Sequence, residues 1–569
     1  MSRPRAAALA CLVFFAVAVV APPALAQWSS DPAVNSPIAV KSGDQVQPKV
    51  RPIPGGGWYV SWFDDETGGY DVYLQRLDVN GVAQWAAGGI RVADLGFSST
   101  EDYGLDVDGS GNALLAFDDD RFATRKITAT KIDPAGSPLW GANGIQMPET
   151  TGDVHSPKIA AASDGQVVVA WTSGSSVKLH RMQADGTAVW DRVRSSSGLT
   201  FGLADLRAAG GSDTGAIVSW VRTQSSNRHL VANKVDAAGN WKWNATPPGL
   251  VIYDGNSLQM GNFPPFVNDG AGGAAFGWYD ISQQCFAQHV TSAGVEAFGH
   301  NGVAASTDAS HSRVAPSVQF NPETGETLLF FIEQFAGQQG VFGQKYNASG
   351  TRQWTNNGAV IRPLAGVTVM DVCAVQAGGD SLVFWTDETG YAQDAIHAQR
   401  VGGNGSAVCA TFPVSTLLAI KANTDASIDA AGMTVATWQQ GDFGAADVYA
   451  QNVNADCSLG GSAPPLEVSP PGAAQPLVFT DGITLLWEDK AASGSDTCNL
   501  YRGDTTTLPA GQYGDCLQHG LTGSTATDST APGTGLGFFY LVSGKNAGGE
   551  GSLGNDSAGH ARQPATACP

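Results

Sequence analysis

Acidic side chains stand two residues after an aromatic residue that marks one strand, in five of the eight repeats of this chain. They are Asp64, Asp119, Asp280, Glu333 and Asp387. If the repeats form a ring, these positions lie on one rim, around one mouth of a central channel. Such carboxylates attract cations and amines and accept hydrogen bonds from sugar hydroxyls. The alternative is that each carboxylate only accepts turn N–H groups at a strand end.

More acidic and aromatic residues stand close to two of these positions. Asp65, Glu66 and Tyr70 follow the first, and Glu388 and Tyr391 follow the last. Tyrosine rings provide surfaces on which a ligand can stack. Together with the five rim carboxylates, they are the predicted ligand-binding residues.

The segment that begins at Asp106 fits the opening of a calcium-binding loop. Asp106, Asp108 and Ser110 alternate there, but Phe117 stands where such a loop has a bidentate glutamate. Asp, Gly, Ser and Asn are also the residues that turns use. A calcium site is therefore one hypothesis, and a plain hairpin turn is the other; no other cofactor is predicted.

No catalytic motif is present in the sequence. It lacks HExxH, a GxSxG elbow and a glycine-rich phosphate loop. Its nine histidines include no His-x-His or His-x-x-x-His pair. An enzyme with this sequence would have to work through residues that leave no short motif, as carboxylate pairs do in glycoside hydrolysis.

The chain begins with a predicted signal peptide over residues 1–26. Arg3 and Arg5 precede an apolar run from Ala6 to Val20, and Ala24-Leu25-Ala26 is a small-residue cleavage site. No second run approaches the ~20 apolar residues that span a bilayer. We expect a secreted or extracellular protein, with the periplasm and the cell surface as alternatives.

Composition excludes several kinds of partner. The formal charge of −21 becomes −23 once the signal peptide is removed, and the basic residues are not clustered. This argues against nucleic acid or an anionic membrane surface as the partner. With 71 glycines, 15% charged and 43% apolar residues, the chain fits a turn-rich all-β protein.

The elements that carry these residues are repeats of about 53 residues. Their aromatic anchors are Trp62, Phe117, Trp171, Trp220, Trp278, Phe331, Trp385 and Trp438. Each repeat reads as four strands, of which the first is short and often follows a proline: Pro48, Pro157, Pro265 or Pro316. The second strands are apolar on both faces, which is expected when blades stack around an axis. The sequence predicts an eight-bladed β-propeller over residues 27–461, with seven blades as the alternative.

The segment from Trp28 to Val40 is similar to the end of a repeat, although it precedes the first one. We predict that it closes the ring as the last strand of the final blade, which removes exposed sheet edges. The alternative is that the final repeat uses its own strand, Pro465–Val468.

A D-x-x-G-x-x-x-W motif, as in Asp78-Gly81-Trp85, recurs after the third strands. Its glycine makes a turn, and its tryptophan is predicted to pack into a neighbouring blade. The motif resembles the tryptophan-docking motif of eight-bladed quinoprotein dehydrogenases, but it lacks their preceding Ala, their Thr before Gly and their adjacent cysteines. The resemblance therefore implies shared packing. As a whole, the repeats resemble those of secreted bacterial propeller proteins of mostly unknown function.

A proline-rich linker over 462–476 leads to a predicted small β-sandwich over 477–569. Its Trp487 and its LYRG and FFYLVSGKNAGGEGSLG segments resemble the fibronectin type III-like module of many exported bacterial proteins. That resemblance implies a disulfide between Cys516 and Cys568. The pairing of Cys285, Cys373, Cys409, Cys457 and Cys498 stays open.

These observations favour a monomeric, exported, non-catalytic recognition protein. Its expected ligand is a glycan, a surface protein or a matrix component, bound through one propeller face. The alternatives are a polysaccharide-degrading enzyme, a hydrolase or a lyase, that uses the rim carboxylates, and a structural spacer in a surface assembly.

Overall fold

The computed structural model describes residues 28–96, 102–149, 152–196, 199–461, 465–546, 549–556 and 561–568. The predicted signal peptide, 1–26, and positions 462–464 of the predicted linker lie outside the described residues. Helix is limited in the described part to α1, Lys490–Ser493, and a 3-10 helix, Thr505–Ala510. Across these ranges, no helix has the length and apolar character needed to cross a membrane. The prediction of an all-β protein is confirmed.

The strands follow one another along the chain in units of four. β1 is Ser36–Ala39. The first complete sheet contains β2 (Gln45–Pro52), β3 (Trp58–Asp64), β4 (Asp71–Leu77) and β5 (Ile90–Ala93). The second contains β6 (Gly104–Val107), β7 (Ala113–Asp119), β8 (Lys126–Ile132) and β9 (Ile145–Gln146). The third contains β10 (Val154–Ala161), β11 (Val167–Ser173), β12 (Ser176–Met182) and β13 (Ala188–Arg194). The fourth contains β14 (Thr200–Ala208), β15 (Ala216–Gln224), β16 (Asn227–Val235) and β17 (Leu250–Tyr253).

The remaining sheets of this region repeat the pattern. They are β18 (Phe266–Asn268), β19 (Ala274–Tyr279), β20 (Cys285–Val290), β21 (Val303–Ala304), and β22 (Ser312–Asn321), β23 (Glu326–Phe335), β24 (Gln338–Tyr346), β25 (Ala359–Ala365). The last two contain β26 (Thr368–Ala377), β27 (Asp380–Glu388), β28 (Asp394–Val401), β29 (Phe412–Ala419), and β30 (Lys421–Ile428), β31 (Thr434–Gln440), β32 (Asp447–Val453). β1 is the fourth strand of the last of these sheets.

The sheets are arranged in a ring. The first strand of each sheet contacts the first strand of the next, and β30 contacts β2. Each sheet is an antiparallel meander, so its first strand lines the axis and its fourth strand lies outside. This arrangement is a β-propeller. Since successive strands are antiparallel, all second strands end on one face, which we call the strand-exit face; the first-to-second turns lie on the opposite face.

The second strands are buried on both sides, as predicted from their unbroken apolar sequence. Every residue of β3, β7 and β11 is buried. The anchors Trp62, Trp220 and Trp278 are fully buried. Both faces of each sheet are therefore covered by neighbouring sheets, and the hydrophobic core is distributed between the sheets.

The predicted short first strands were wrong in three repeats. Pro48, Pro157 and Pro316 lie inside strands of eight to ten residues and do not precede them. At each of these sites the strand register shifts, as in a β-bulge, and the preceding residue has a positive φ. Proline lacks an N–H donor, but a bulge on an innermost edge strand leaves that position unpaired.

The N-terminal segment closes the ring, as predicted. β1 pairs antiparallel with β32, with Ser36 opposite Ala450 and Pro37 opposite Tyr449. Trp28 is buried and belongs to one core cluster with residues of the first and last sheets. The sheet that ends the propeller is thus completed by the residues that begin the described chain.

The predicted packing of the motif tryptophans into the next sheet is confirmed. The indole N–H donates to a backbone carbonyl in the turn of the following sheet; the pairs are Trp28–Val79, Trp85–Pro134, Trp140–Ala184, Trp190–Ala237, Trp243–Ser292 and Trp354–Gly403. In five of the six, the ring also lies over the glycine two residues later: Gly81, Gly136, Gly186, Gly294 and Gly405. A Cβ on Gly294 would lie 2.8 Å from Trp243 atoms, which explains the glycine.

Replacing Gly294 by Ala is expected to destabilise the propeller more than the same change at Gly165. Both glycines have left-handed φ angles, +78° and +79°, so both variants carry the strain of ~1–2 kcal/mol for an L-residue. Only Gly294→Ala adds overpacking against Trp243, at a further ~1–3 kcal/mol, since nothing lies within 4 Å of a Cβ at Gly165. Denaturant unfolding of both variants measures the difference; equal losses would contradict the docking role.

The C-terminal region forms two further sheets. Its strands are β33 (Val478–Phe479), β34 (Thr484–Leu486), β35 (Thr497–Asp504), β36 (Asp515–Leu521), β37 (Thr525–Thr527), β38 (Phe538–Asn546) and β39 (Gly549–Glu550). The sheet orders are β33-β34-β37 and β36-β35-β38-β39, and Trp487 is buried in the core that includes residues of both. The disulfide predicted between Cys516 and Cys568 is present, and a second joins Cys409 to Cys457.

The C-terminal region contacts the propeller on the face opposite to the strand-exit face. Leu466 lies against Gly56, in the first-to-second turn of the first complete sheet. Ala431, in the equivalent turn of the last sheet, lines a cavity together with Tyr501 and Arg562. The strand-exit loops are therefore on the other side of the propeller from this contact.

Candidate functional site

The five rim carboxylates predicted from the sequence lie at the strand-exit face, and each already has partners. Asp64 accepts from Trp62 Nε1 at 3.2 Å and lies 3.1 Å from Lys41 Nζ. Asp119 accepts from Arg121 through Nε at 2.9 Å and Nη2 at 2.7 Å, and from Thr128 Oγ1 at 2.6 Å. Asp280 accepts from Tyr253 Oη at 3.0 Å, Glu333 contacts His311 Nδ1 at 2.5 Å and Arg313 Nε at 2.9 Å, and Asp387 lies 2.8 Å from Arg362 Nε. Most of these partners lie in the same sheet or in the loop beside it, whereas Tyr253 and Arg362 belong to the fourth strand of the preceding sheet.

Four of these five carboxylates are also buried: Asp64, Asp119, Asp280 and Glu333. A buried carboxylate requires hydrogen-bond donors, and here side chains and turn N–H groups supply them. This geometry favours the alternative in which the repeated acid holds its strand end and loop. The fifth carboxylate, Asp387, is half-buried. Burial lowers the pKa of the neighbouring His397 imidazole, and the negative charge of Asp387 opposes this shift.

Around the loop 441–446, the structure brings the predicted Tyr391 together with two residues that were not predicted, Asp44 and Asp442. Tyr391 Oη donates to Asp442 Oδ1 at 2.8 Å, from the sheet before. Asp44 Oδ1 accepts from Gly444 N at 2.8 Å and from Ala446 N at 3.0 Å, so it fixes the same loop from the sheet after. The loop therefore joins three neighbouring sheets at the point where the ring closes.

Asp44 also holds the loop that contains Asp65, Glu66 and Tyr70. Tyr70 Oη donates to Asp44 Oδ2 at 3.2 Å, and Asp44 N donates to Asp65 Oδ1 at 2.5 Å. Burial and the Asp44 carboxylate raise the pKa of Tyr70 to about 12, which keeps the phenol a donor at neutral pH. A single buried carboxylate thus fixes two loops with respect to each other.

Two aromatic rings project from this network into solvent. The side chain of Phe443 is 97% exposed at the tip of the 441–446 loop, and Tyr391 is 78% exposed. The hydrogen bond to Asp442 raises the pKa of Tyr391, so its hydroxyl stays protonated while its ring faces solvent. Exposed rings on loops fixed by hydrogen bonds are arranged to stack on a ligand at little entropic cost.

The loops that Asp44 and Tyr391 connect carry more carboxylates than cations, with Asp442 on one loop, Asp65 and Glu66 on the other, and Lys41 beside them. Lys41 Nζ lies 3.1 Å from Asp64 and 3.5 Å from Glu66, and 3.9 Å from the centre of the Tyr73 ring. Glu388 ends β27 in a half-buried position. The surface thus combines apolar rings with carboxylate oxygens, which can accept hydrogen bonds from hydroxyl groups. We call Tyr391, Asp442, Phe443, Asp65 and Glu66 the closure patch.

The calcium hypothesis finds no supporting arrangement. Asp108 accepts from the turn N–H groups of Ser110 and Asn112 and lies 2.8 Å from Lys131 Nζ. Asp106 accepts from Ala161 N in the next sheet. Within the ranges that the structure describes, no three metal-ligating side chains come together. The segment is a hairpin turn of the kind that the sequence also allowed.

Sequence reasoning missed Asp44, Asp442 and Phe443. The eighth repeat has Gln440 where five others carry the acid, so its loop was left out of the predicted set. The available signal was the GDFG segment, in which an aromatic residue stands between glycines in a loop. The contact of Asp44 with positions 444 and 446 spans about four hundred residues and depends on ring closure.

The fold and the site define a β-propeller with an aromatic and acidic patch at its point of closure. No protein-family model matches the chain, and no curated protein sequence matches it either. Similar solved structures include the polysaccharide lyase Uly1 (10% identity, 73% of this chain and 91% of that one, TM-score 0.40) and an ulvan lyase from a new family of polysaccharide lyases (10%, 77% and 95%, 0.40). The Dos1 propeller is another (9%, 74% and 95%, 0.40). At these identities and scores, the comparisons carry no argument about function.

Proposed function

We propose that the protein is an exported eight-bladed propeller that recognises a glycan through the closure patch. Each of the eight four-stranded sheets is taken as one blade, within a propeller domain of residues 27–461. The linker 462–476 and a fibronectin type III-like sandwich over 477–569 follow it. The observation that carries this proposal is the 97% exposed ring of Phe443, presented on a loop that Asp44 fixes.

Export is supported by the predicted signal peptide and by the two disulfides, Cys409–Cys457 and Cys516–Cys568. Disulfides persist in oxidising compartments and are rare in the cytosol. The contact of the C-terminal module with the opposite face leaves the strand-exit loops accessible. The protein would then meet its ligand outside the cell, in the periplasm or at the cell surface.

A glycan fits the chemistry of the patch better than a flat protein surface does. Apolar faces of sugar rings can stack on Phe443 and Tyr391, while carboxylates of Asp442 and Asp65 accept hydrogen bonds from hydroxyls. A protein partner would be expected to need a larger continuous apolar area than two rings. A purely structural spacer would not need an almost completely exposed phenylalanine at this point.

The test is retention of the mature protein on a panel of insoluble polysaccharides. Phe443→Ala is expected to weaken binding about tenfold or more, because a stacking anchor is a typical binding hot spot. Met260→Ala is the matched control, since Met260 is 85% exposed on the same face, in the loop between β17 and β18, away from the closure patch. Equal binding by the wild type and Phe443→Ala, or no retention on any polysaccharide, would overturn the proposal.

One observation favours a catalytic alternative. The imidazole of His311 contacts Glu333 through Nδ1 at 2.5 Å, and its ring is stacked on Phe335 at 4.1 Å between centroids. A carboxylate-oriented histidine can act as a general base or acid in the cleavage of a polysaccharide. Release of sugar ends in the same assay, lost in His311→Asn, would establish this alternative; retention without release favours recognition alone.

A further inference from the structure

The ring of first strands encloses a cavity of about 790 Å3. It is lined by first-strand residues of six sheets, including Arg51, Arg207, Gln319, Cys373 and Asp425. Its size falls within the range of pockets that hold small molecules. The closure patch contributes none of its lining residues, so the cavity is a separate place in the molecule.

Arg51 and Arg207 occupy equivalent positions in two first strands. Arg51 pairs with Tyr59, three residues before Trp62, and Arg207 pairs with Ile217, three residues before Trp220. The two guanidinium groups therefore come from the same level of the channel wall. They enter it from the first and fourth complete sheets, which are not neighbours in the ring.

Each arginine uses only part of its donor capacity. Arg51 donates through Nη1 to Val50 O, Asp425 Oδ2 and Ser427 Oγ, and Arg207 donates through Nε to Asp205 Oδ2 at 3.0 Å. Within the described residues, Nε and Nη2 of Arg51 and both terminal nitrogens of Arg207 have no acceptor. A guanidinium group with unused N–H donors at a cavity wall is suited to bind an oxyanion in a bidentate manner.

The wall carboxylates are in turn bonded by backbone groups. Asp425 accepts from Val50 N at 2.9 Å, and Asp205 accepts from Leu206 N at 2.9 Å and from Phe266 N at 3.4 Å. These bonds join first strands of adjacent sheets and hold both acids against the wall. Nearer the strand-exit face, Lys49 and Lys158 both pair with the single carboxylate of Asp102. The two lysines and Asp102 together carry one net positive charge, whereas the carboxylate of Asp106, which interacts with both Arg51 and Arg207, adds a negative charge to the wall.

We propose that the channel binds one small molecule that carries an oxyanion, held by Arg51 and Arg207. The oxyanion is a carboxylate, sulfate or phosphate group, either on a free small anion or on an acidic sugar. The interaction is strengthened because the channel wall excludes much of the solvent that screens surface charges. This inference does not depend on the glycan-binding role of the closure patch.

Calorimetric titration of the mature protein at low ionic strength with sulfate, citrate and glucuronate tests this site. We expect one equivalent to bind, and we expect Arg51→Gln and Arg207→Gln each to weaken binding about tenfold, as loss of a charge-assisted hydrogen bond would. Arg91→Gln is the matched control, because Arg91 lies on the outermost strand β5, outside the channel, and pairs with Asp71. Binding of sulfate and citrate identifies a free-anion site, whereas glucuronate alone identifies an acidic-sugar site.

A second measurement uses the unaltered cavity. Cys373 lines it and is half-buried, whereas the other two cysteines outside the disulfides, Cys285 and Cys498, are buried. Burial raises the pKa of the Cys373 thiol to about 12, so little thiolate is present at neutral pH and the reaction is followed over long incubations at alkaline pH. We expect the bound anion to slow alkylation of Cys373 by a neutral maleimide at least severalfold, and chloride at equal ionic strength to have less effect. No binding of any of the three anions, or equal weakening in Arg91→Gln, would overturn the proposal, as would alkylation that saturating anion does not change.

Discussion

Deleting residues 27–40 from the mature chain is expected to prevent it from folding to a closed, monomeric propeller. The deletion removes β1, and β32 then becomes an exposed strand edge with unpaired N–H and C=O groups. Such an edge pairs readily with another chain. We expect oligomers or aggregate in size-exclusion chromatography where the full mature protein elutes as a monomer.

A point variant separates the docking of Trp28 from the pairing of β1. Trp28 is buried, its indole N–H donates to Val79 O at 3.1 Å, and its ring covers Gly81. Trp28→Ala is expected to lower the free energy of unfolding by about 3–5 kcal/mol, the usual cost of truncating a buried tryptophan. Thermal unfolding followed by near-UV circular dichroism measures the loss.

The control for this prediction lies in the same segment. Val34 is 57% exposed, and Val34→Ala should change the free energy of unfolding by no more than about 0.5 kcal/mol. If Trp28→Ala unfolded at the same temperature as Val34→Ala, closure would not depend on the docked indole. A deletion variant that stayed monomeric would show that the ring closes without β1.

The repeat architecture could be predicted from the sequence because it depends on local pattern. Anchors such as Trp62 recur at nearly constant spacing, and a strand that is apolar on both faces has to be covered on both faces. The docking of Trp85 was predictable for the same reason, since its glycine and tryptophan are spaced alike in several repeats. Closure by β1 followed from the similarity of its sequence to the ends of other repeats.

The closure patch and the channel site could not be predicted in the same way. Rim acids such as Asp119 recur, but recurrence reflected a shared structural role, since Arg121 and Thr128 take up its oxygens. Phe443, by contrast, occurs in a single repeat, and the equivalent arginines Arg51 and Arg207 occur in two. Their significance comes from where the ring places them, which no local pattern in the sequence encodes.

The disulfide between Cys409 and Cys457 takes the place of one docked tryptophan. Cys409 stands four residues after Gly405, where other repeats have the docking aromatic residue. Cys457 stands three residues after Asn454, where other turns have the glycine, and its φ of +70° is close to the +81° of Gly81. The contact between the seventh and eighth sheets is therefore covalent, where most of the others are made by an aromatic ring on glycine.

Replacing both cysteines by Ser is expected to destabilise the propeller by about 2–4 kcal/mol, the usual contribution of a disulfide that closes a loop of this length. The serine at position 457 also keeps a left-handed conformation that favours glycine. Combining Cys409→Trp with Cys457→Gly should restore much of the lost stability, because it supplies the indole and the glycine that the other contacts use.

All these variants are best compared in a background in which Cys516 and Cys568 are both Ser, so that reducing agent acts only on the propeller. There, we expect dithiothreitol to lower the unfolding temperature of the chain with Cys409 and Cys457 intact, and to leave the Trp–Gly variant unchanged. If the double Ser variant were as stable as the parent, the disulfide would not hold the two sheets together. If the Trp–Gly variant were no more stable than the double Ser variant, the two kinds of contact would not be interchangeable at this site.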